Sequence, residues 1–307
     1  MTMAAQSPYQ QPMAPWPSLR AYGQQVQLPT LGIRLFFFEA GAPEKPALIL
    51  IHGLGDEADT WRHVFNPLAE DHHVMAIDLP GFGRSDQPDR DYTPDFMQQA
   101  ILDLMTVKGL EKAFLMGSSL GAILSQGTAI AHPEKVCGLI LAGGALLQPQ
   151  EMGDSGLRLM AVPLLGEWLY TRLRKDPQAA YDTLRPVYHD LDNLPEPDRE
   201  FLFTRVNHRV WRDGQRRAYF STLRKLTPWV KHTQAGLPER LSAISIPTLV
   251  IRGEYDGLYS AEAAEALIAA QPAITSITIP GAGHLPQQEA PAAFLSAVRP
   301  WLSQQSG

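Results

Sequence analysis

The chain has 307 residues, 45% of them hydrophobic and 19% charged, which is typical of one large α/β domain with an insertion, or of two domains. Its net charge of −6 argues against nucleic acid as a main partner, because such sites usually need a basic face. A single cysteine excludes an internal disulfide. The sequence contains no run of about twenty apolar residues that would predict a membrane span, and it shows no readable signal peptide, so we expect a cytoplasmic protein.

The first element in chain order is an arm, followed by strand-like and helical patterns that alternate. Residues 1–22 are rich in Gln, Pro, Met and Ala, which predicts an extended or partly disordered arm. Strand-like runs span residues 33–40, 47–53, 73–81, 113–119, 137–144, 248–256 and 274–284. Several of these runs are apolar throughout, as is typical of strands covered on both faces. Helical patterns span residues 58–70, 94–109, 120–132, 260–270 and 290–303. This alternation predicts an α/β fold with a mostly parallel central sheet flanked by helices.

One segment, residues 147–235, breaks the alternation because it contains only helical patterns. A helical block between two strands predicts an all-helical cap inserted into a core that is formed by residues 23–146 and 236–307. Its arginines are interpreted as a solvated helix face rather than an anion site, because exposed Lys and Arg are the norm. They are Arg205, Arg209, Arg212, Arg216, Arg217 and Arg224.

The run AFLMGSSLGAIL places two serines between two glycines, where a strand-like segment meets a helical one. Gly117-x-Ser119-x-Gly121 is the nucleophile-elbow arrangement, a turn so tight that the neighbours of its central residue must be small. Only Ser119 has a glycine at both two-residue offsets, so Ser119 rather than Ser118 is predicted to be the nucleophile. The helix that begins near Leu120 directs backbone N–H groups and its positive dipole end at the developing oxyanion.

A serine nucleophile needs a base, and the base needs a group that orients it. His284 follows a strand and a Gly-x-Gly loop, which predicts a histidine that reaches over the edge of the sheet. Asp256 ends the strand TLVIRGEYD, where its carboxylate can reach the next loop. Glu254 is the nearest rival for the acid, and Asp256 is preferred because it lies further out of the strand.

Five motifs in this order resemble those of the α/β-hydrolase-fold serine hydrolases of esterase and lipase type, in which the triad follows the chain order Ser, Asp, His. They are HGLGDEADTWRHV (52–64), DLPGFGRSDQP (78–88), GSSLGA (117–122), GEYDGLYS (253–260) and GAGHLPQQEAP (281–291). Two positions depart from the family pattern. Ser118 stands where many relatives carry His or Asn, and Ala122 stands where a second Gly is common.

The resemblance implies a carboxylesterase that acts on a small-molecule ester with a short to medium acyl group or an aryl group, and that needs no cofactor or metal. It implies an oxyanion hole formed by the backbone N–H groups of Leu54 and Leu120. His52 is interpreted as orienting its own loop, and Asp78 as bracing the turn at Pro80-Gly81. Carbon–carbon bond (diketone) hydrolase activity, lactonase activity and a non-catalytic ligand receptor on the same scaffold stay open as alternatives.

The cap is predicted to act as a lid that sets substrate choice, because it leaves and rejoins the core near the carboxyl ends of strands, where ligands bind in open α/β sheets. Its apolar residues exceed what a solvated helix needs: Met152, Leu159, Met160, Leu164, Leu165 and Trp168. Met160, Leu164 and Leu285 are predicted to line an acyl pocket beside Leu54 and Leu120. The alternative, that these residues form the cap's own core, stays open.

Overall fold

The computed structural model describes residues 7–10, 12, 14–146, 155–243, 245–271 and 274–305. An eight-stranded sheet runs in the order β1-β2-β4-β3-β5-β6-β7-β8. Strand β2 is antiparallel to both of its neighbours, and the remaining pairs are parallel. The strands are β1 (Gly23–Gln27), β2 (Arg34–Ala40), β3 (Ala47–Ile51), β4 (His73–Ile77), β5 (Ala113–Ser118), β6 (Val136–Ala142), β7 (Thr248–Gly253) and β8 (Ile274–Ile279). This sheet confirms the predicted fold class.

The helices of the core lie between the strands, as the sequence predicted. Thr93 caps the second helix by accepting the N–H of Phe96 at 3.2 Å, and Pro94 occupies the first helical position. The core helices are α1 (Phe65–Ala69), α2 (Pro94–Val107), α3 (Leu120–Ala131), α10 (Ala261–Ala270), α11 (Pro286–Glu289) and α12 (Pro291–Gln305). The described residues from 155 to 243 form helices joined by turns, without a strand. These helices are α4 (Ser155–Ala161), α5 (Leu165–Arg172), α6 (Pro177–Asp182), α7 (Glu196–Trp211), α8 (Asp213–Gln234) and, beyond the predicted end of the cap, α9 (Leu237–Ala243).

The central strands are apolar throughout because both of their faces are covered. Ile49 and Leu115 belong to the core layer that also contains residues of α2 and α3. Leu50 and Met116 alternate with them and belong to the opposite layer, with Phe294 of α12. Six of the seven predicted runs extend past the end of the observed strand, because their last residues form loops at the carboxyl edge of the sheet, whereas the run 33–40 ends with β2 at Ala40.

Two parts of the N-terminal region differ from the sequence expectation. Strand β1 was not predicted, since its sequence GQQVQ is polar and it lies at the edge of the sheet, paired with β2. Within the predicted arm, Pro17–Tyr22 forms a 3₁₀ helix whose Leu19 is fully buried. This part of the arm therefore packs against the core.

Several cap arginines pair with carboxylates of the core instead of facing solvent. Arg205 of α7 is only 1% exposed and pairs with Glu57 and Asp59. Arg209 of the same helix pairs with Asp56. The expectation of a solvated arginine face is therefore wrong for these two residues, because the carboxylates that pair with them lie in a core loop far away in the sequence. We call these contacts the boundary ion pairs.

Candidate active site

Ser119 lies on a strained turn between β5 and α3. Its backbone has φ 54° and ψ −115°, in the left-handed half of backbone space that costs a non-glycine residue roughly 1–3 kcal/mol. The turn is as crowded as the elbow pattern predicts. A Cβ atom at Gly117 would lie 2.1 Å from the backbone of Gly121, and a Cβ atom at Gly121 would lie 2.1 Å from the carbonyl oxygen of Ile51. The fold therefore requires glycine on both sides of Ser119.

His284 and Asp256 form a buried pair at the same edge of the sheet. The carboxylate oxygens of Asp256 lie 2.9 and 3.0 Å from Nδ1 of His284. The backbone N–H groups of Leu258 and Tyr259 donate to Asp256 Oδ1 at 2.9 and 3.0 Å, which fixes the carboxylate. Since Asp256 accepts the hydrogen on Nδ1, Nε2 is the ring nitrogen left to accept a proton. Glu254, the rival acid, instead accepts the N–H of Gly281 at 3.0 Å.

The loop after β6 lies against both His284 and Ser119. A Cβ atom at Gly143 would lie 3.1 Å from Nδ1 and Cε1 of His284, and one at Gly144 would lie 3.2 Å from Cα of Ser119. The N–H of Ser119 donates to the carbonyl of Ala142 at 2.8 Å. The structure thus brings together the three residues that the sequence predicted as a triad.

Leu120 and Leu54 occupy backbone positions that suit oxyanion donors. Leu120 is the first residue of α3, so its N–H has no acceptor within the helix. Leu54 is the second residue of a turn closed by the N–H of Asp56, which donates to the carbonyl of Gly53 at 3.2 Å. A Cβ atom at Gly53 would lie 3.2 Å from Cβ of Ser119. This turn, residues 53–56, therefore lies directly against Ser119, and we call it the oxyanion loop after the role that the sequence predicts for it.

His52 holds the oxyanion loop in place. Its Nε2 accepts the N–H of Leu79 at 2.9 Å, so Nδ1 carries the hydrogen and donates to the carbonyl of Gly53 at 2.7 Å. Burial lowers the pKa of His52, which keeps the ring neutral. The geometry agrees with the sequence interpretation of this residue as one that orients its own loop.

Asp78 is occupied by structural bonds. Its Oδ1 accepts the N–H of Ala58 at 2.7 Å, and its Oδ2 accepts both the N–H and the Nε–H of Arg84 at 2.7 Å. Asp78 thereby joins the loop after β4 to the helical turn at Ala58. It braces these loops, and the acid that faces the histidine is Asp256.

Glu289 connects the histidine loop to the cap, a role that the sequence analysis missed. Its Oε1 accepts the N–H of Gly283 at 2.9 Å, and its Oε2 accepts the N–H of His189 at 2.7 Å. The N–H of His284 donates to the carbonyl of Val187 at 3.1 Å. Burial raises the pKa of Glu289. The sequence signal was the carboxylate five residues after His284, but its cap partner lies a hundred positions away.

Ser118 lies behind the nucleophile in a polar network. It is fully buried, and its Oγ accepts from Nε2 of Gln287 at 3.2 Å. Gln288 next to it accepts the hydroxyl of Tyr188 at 2.8 Å. The hydroxyl of Ser118 is therefore engaged within the fold, on the other side of the turn from Ser119.

The residues predicted to line the acyl pocket lie in three different environments. Leu164 is 84% exposed, and a side chain so open to water does not line an enclosed pocket, so this prediction is wrong. Leu285 is buried among cap residues that include Tyr188, which anchors the histidine loop to the cap. Met160 is half-buried in α4. Met152 lies outside the described residues.

Among the residues that the structure describes, no group of three His, Cys, Asp or Glu side chains is placed to hold a metal ion. Within the same residues, no helix combines the length and the apolar character required to cross a membrane.

Comparison with known proteins identifies the family. A family model described as the alpha/beta hydrolase fold matches residues 46–291. The chain is 28% identical over 286 residues to 2-hydroxy-6-oxo-6-(2'-aminophenyl)hexa-2,4-dienoic acid hydrolase of Metapseudomonas resinovorans, covering 90% of this chain and 89% of that protein. It is 28% identical over 268 residues to pimeloyl-[acyl-carrier protein] methyl ester esterase of Edwardsiella ictaluri, covering 86% and 95%.

A solved structure agrees with this assignment. The 2-hydroxy-6-oxo-6-phenylhexa-2,4-dienoate hydrolase of a Rhodococcus strain has a TM-score of 0.75 at 22% identity, covering 92% of this chain and 98% of that chain. The likeness of these two structures is one of fold. Because the family model also spans most of the sequence, the chain belongs to the α/β-hydrolase family.

Proposed function

We propose that this hydrolase cleaves carboxylic esters through an acyl-enzyme on Ser119, with His284 as general base and Asp256 as its orienting acid. The observation that carries the proposal is the buried Asp256–His284 pair, which engages Nδ1 and leaves Nε2 as the nitrogen that accepts a proton, in the same chain as a strained serine at position 119. A serine at the elbow argues against epoxide opening and dehalogenation, because hydrolases of this fold that perform those reactions use an Asp nucleophile.

The reaction follows from these positions. Nε2 of His284 takes the hydroxyl proton of Ser119 while Oγ forms a bond to the ester carbonyl carbon. The carbonyl oxygen becomes an oxyanion that accepts hydrogen bonds from the N–H groups of Leu54 and Leu120. The C–O bond to the alcohol then breaks, and the imidazolium gives its proton to the leaving alkoxide. Water, deprotonated by the same ring, attacks the acyl-enzyme and releases the acid and the free serine.

The test is covalent labelling combined with turnover. A fluorophosphonate probe should label the wild-type protein at Ser119, and p-nitrophenyl butyrate should be hydrolysed. Ser119→Ala should abolish both signals, whereas the neighbouring variant Ser118→Ala should keep labelling and a substantial fraction of turnover. Loss of both signals in Ser118→Ala, with both retained in Ser119→Ala, would contradict the assignment of the nucleophile. A wild-type protein that neither labels nor turns over any ester would instead support a binding protein on this scaffold.

Carbon–carbon bond hydrolysis is the second candidate, and it is supported by the relative from Metapseudomonas resinovorans, whose name describes a hydrolase of a dienoic acid. The same triad would serve this reaction. Turnover of a vinylogous diketone without turnover of p-nitrophenyl esters would favour it over the ester proposal.

Acyl length is the other part of the pocket prediction. We expect esters with short and medium acyl chains to be preferred over long triglycerides, with Met160 and Leu285 near the acyl group.

A further inference from the structure

Two stacked tyrosines of the cap cover the oxyanion loop. Tyr219 of α8 lies so close to the loop that a Cβ atom at Gly55 would be 3.2 Å from its ring. Tyr170 of α5 stacks on Tyr219, with ring centroids 5.8 Å apart and an angle of 28° between the planes. Since Gly55 is two residues from Gly53, which lies against Ser119, Tyr219 lies near the proposed site of chemistry and Tyr170 stacks on it.

The hydroxyls of these two tyrosines are unused in the fold. Among the described residues, neither hydroxyl has a hydrogen-bond partner, and both side chains are only half-buried. Two other tyrosines of the chain behave differently, because Tyr92 donates to the carbonyl of Pro88 at 2.7 Å and Tyr188 donates to Gln288. Burial raises the pKa of Tyr170 to about 12, so its hydroxyl is protonated at neutral pH. Burial also raises the pKa of Tyr219.

A third unused donor lies beside the tyrosines. Arg209 donates from Nη2 to Asp56, the last residue of the oxyanion loop, while its Nε–H is buried without a partner among the described residues. Burial opposes ionisation of Asp56, but the Arg209 and Arg205 charges outweigh it and lower the pKa of Asp56, which keeps it a carboxylate. The charge of Arg209 is therefore balanced. An uncompensated donor in such a place gains by binding an acceptor.

We propose that Tyr170, Tyr219 and Arg209 form a subsite that binds an oxo oxygen on the part of the substrate remote from the scissile carbonyl. This inference rests on the proposed function, because it uses the same cleft. The substrates expected for this subsite are esters, or the corresponding ketones, that carry a second carbonyl or a carboxylate. The three donors belong to one part of the molecule, because Tyr219 lies against the loop that ends at Asp56, Tyr170 stacks on Tyr219, and Arg209 pairs with Asp56. Since that carboxylate is already paired, an acceptor group fits there better than a donor or an alkyl chain.

The test compares p-nitrophenyl esters with the same six-carbon acyl chain. The hexanoate has no second oxygen function, the 4-oxo- and 5-oxohexanoates carry a neutral ketone, and the adipate monoester carries a carboxylate. We expect wild-type kcat/KM for at least one oxygenated ester to exceed that for hexanoate by roughly tenfold, as one or two net hydrogen bonds would give. Preference for a ketone ester identifies a neutral acceptor, and preference for the monoester identifies an anionic one.

The variants isolate the hydroxyls. The double variant Tyr170→Phe/Tyr219→Phe keeps both rings and should bring the oxygenated-to-hexanoate ratio to about one, with less than about a twofold change for hexanoate itself. Tyr181→Phe is the matched control, because the buried hydroxyl of Tyr181 likewise has no partner in the part of the chain that the structure describes, but its ring packs on Phe203 between α6 and α7. It should leave the ratio unchanged.

A binding measurement separates this proposal from the proposed function. Ser119→Ala protein is titrated by calorimetry with methyl 4-oxohexanoate, methyl 5-oxohexanoate, monomethyl adipate and methyl hexanoate, with and without the double tyrosine change. Tighter binding of any oxygenated ester that the double change removes supports the subsite even if no ester is turned over. Equal binding of all four esters, or an equal loss for all of them on removing the hydroxyls, would overturn the subsite even if Ser119 proves to be an esterase nucleophile.

Discussion

Asp256→Asn should lower kcat by about 10⁴-fold while it leaves KM nearly unchanged, as the corresponding change does in a serine protease. The structure gives the reason. Two backbone N–H groups, those of Leu258 and Tyr259, donate to Oδ1 of Asp256, so the Asn side chain must keep its oxygen at that position. Its NH₂ group then replaces Oδ2, which lies 3.0 Å from Nδ1 of His284. The amide adds a donor toward Nδ1 beside the retained oxygen at 2.9 Å, which favours the ring tautomer with its hydrogen on Nε2, where it blocks proton transfer from Ser119.

The loss corresponds to about 5 kcal/mol of barrier, since each tenfold change in rate is about 1.4 kcal/mol. The change is isosteric and both backbone bonds to the side chain persist, so the folded state should be preserved. Steady-state hydrolysis of p-nitrophenyl butyrate gives kcat and KM, and circular dichroism checks the fold. Glu254→Gln is the matched control, because Glu254 lies on the same loop and bonds to Gly281 instead of the histidine.

Near-normal kcat in Asp256→Asn, together with a collapse in Glu254→Gln, would refute the reasoning and transfer the acid to Glu254. A rise in KM with kcat unchanged would also refute it, because it would mean that Asp256 contacts substrate instead of acting through His284.

Three further variants test the fold around the site. Gly117→Ala places a methyl group 2.1 Å from the backbone of α3, so it should destabilise the protein by about 1–3 kcal/mol or more and abolish turnover. Gly257→Ala, where an added Cβ atom has nothing within 4 Å, should be tolerated, and urea unfolding compares the two variants. Arg205→Met leaves Glu57 buried without its main cation and should cost about 3–5 kcal/mol near neutral pH. Because the boundary arginines lower the Glu57 pKa from 4.5 despite its burial, the stabilisation is present above pH 4.5 and the deficit of the variant should narrow as the pH falls; a constant deficit in urea titrations would contradict this. Glu289→Gln should become more stable relative to wild type as the pH rises from 4.5 through the raised pKa of Glu289, because wild type must then ionise a buried carboxyl. Free energies of unfolding measured between about pH 4 and pH 8 check whether the difference between variant and wild type changes in this direction.

The features predicted from the sequence are those that local chain geometry determines. The elbow depends on residues within two positions of Ser119, so its sequence pattern alone predicts that Gly117 and Gly121 are required for steric reasons. The crowding around both glycines in the structure agrees with this. Apolar runs likewise predicted the central parallel strands, because burial on both faces removes polar residues from them. Edge strand β1 escaped prediction because one polar face and a single partner leave little apolar signal.

The features that were missed depend on contacts between distant parts of the chain. Arg205 pairs with Glu57 across 148 positions, and no local pattern distinguishes it from the solvated arginines of the cap. Leu164 looked like a pocket residue because of its apolar type, yet it lies at the exposed turn between α4 and α5 with φ 66°. In both cases the environment of the side chain is decided by how the cap packs against the core.

The boundary ion pairs specify the orientation of the cap as well as its attachment. An apolar interface tolerates a small slide or rotation, because one methyl group replaces another at little cost. A charged interface does not, since a shift of one helical turn in α7 would move Arg205 and Arg209 away from Glu57 and Asp56 and leave Asp59 with Arg84 as its remaining cation. A cap taken from another member of the family would therefore be misaligned over Ser119 unless its arginine spacing were transferred together with the matching core carboxylates.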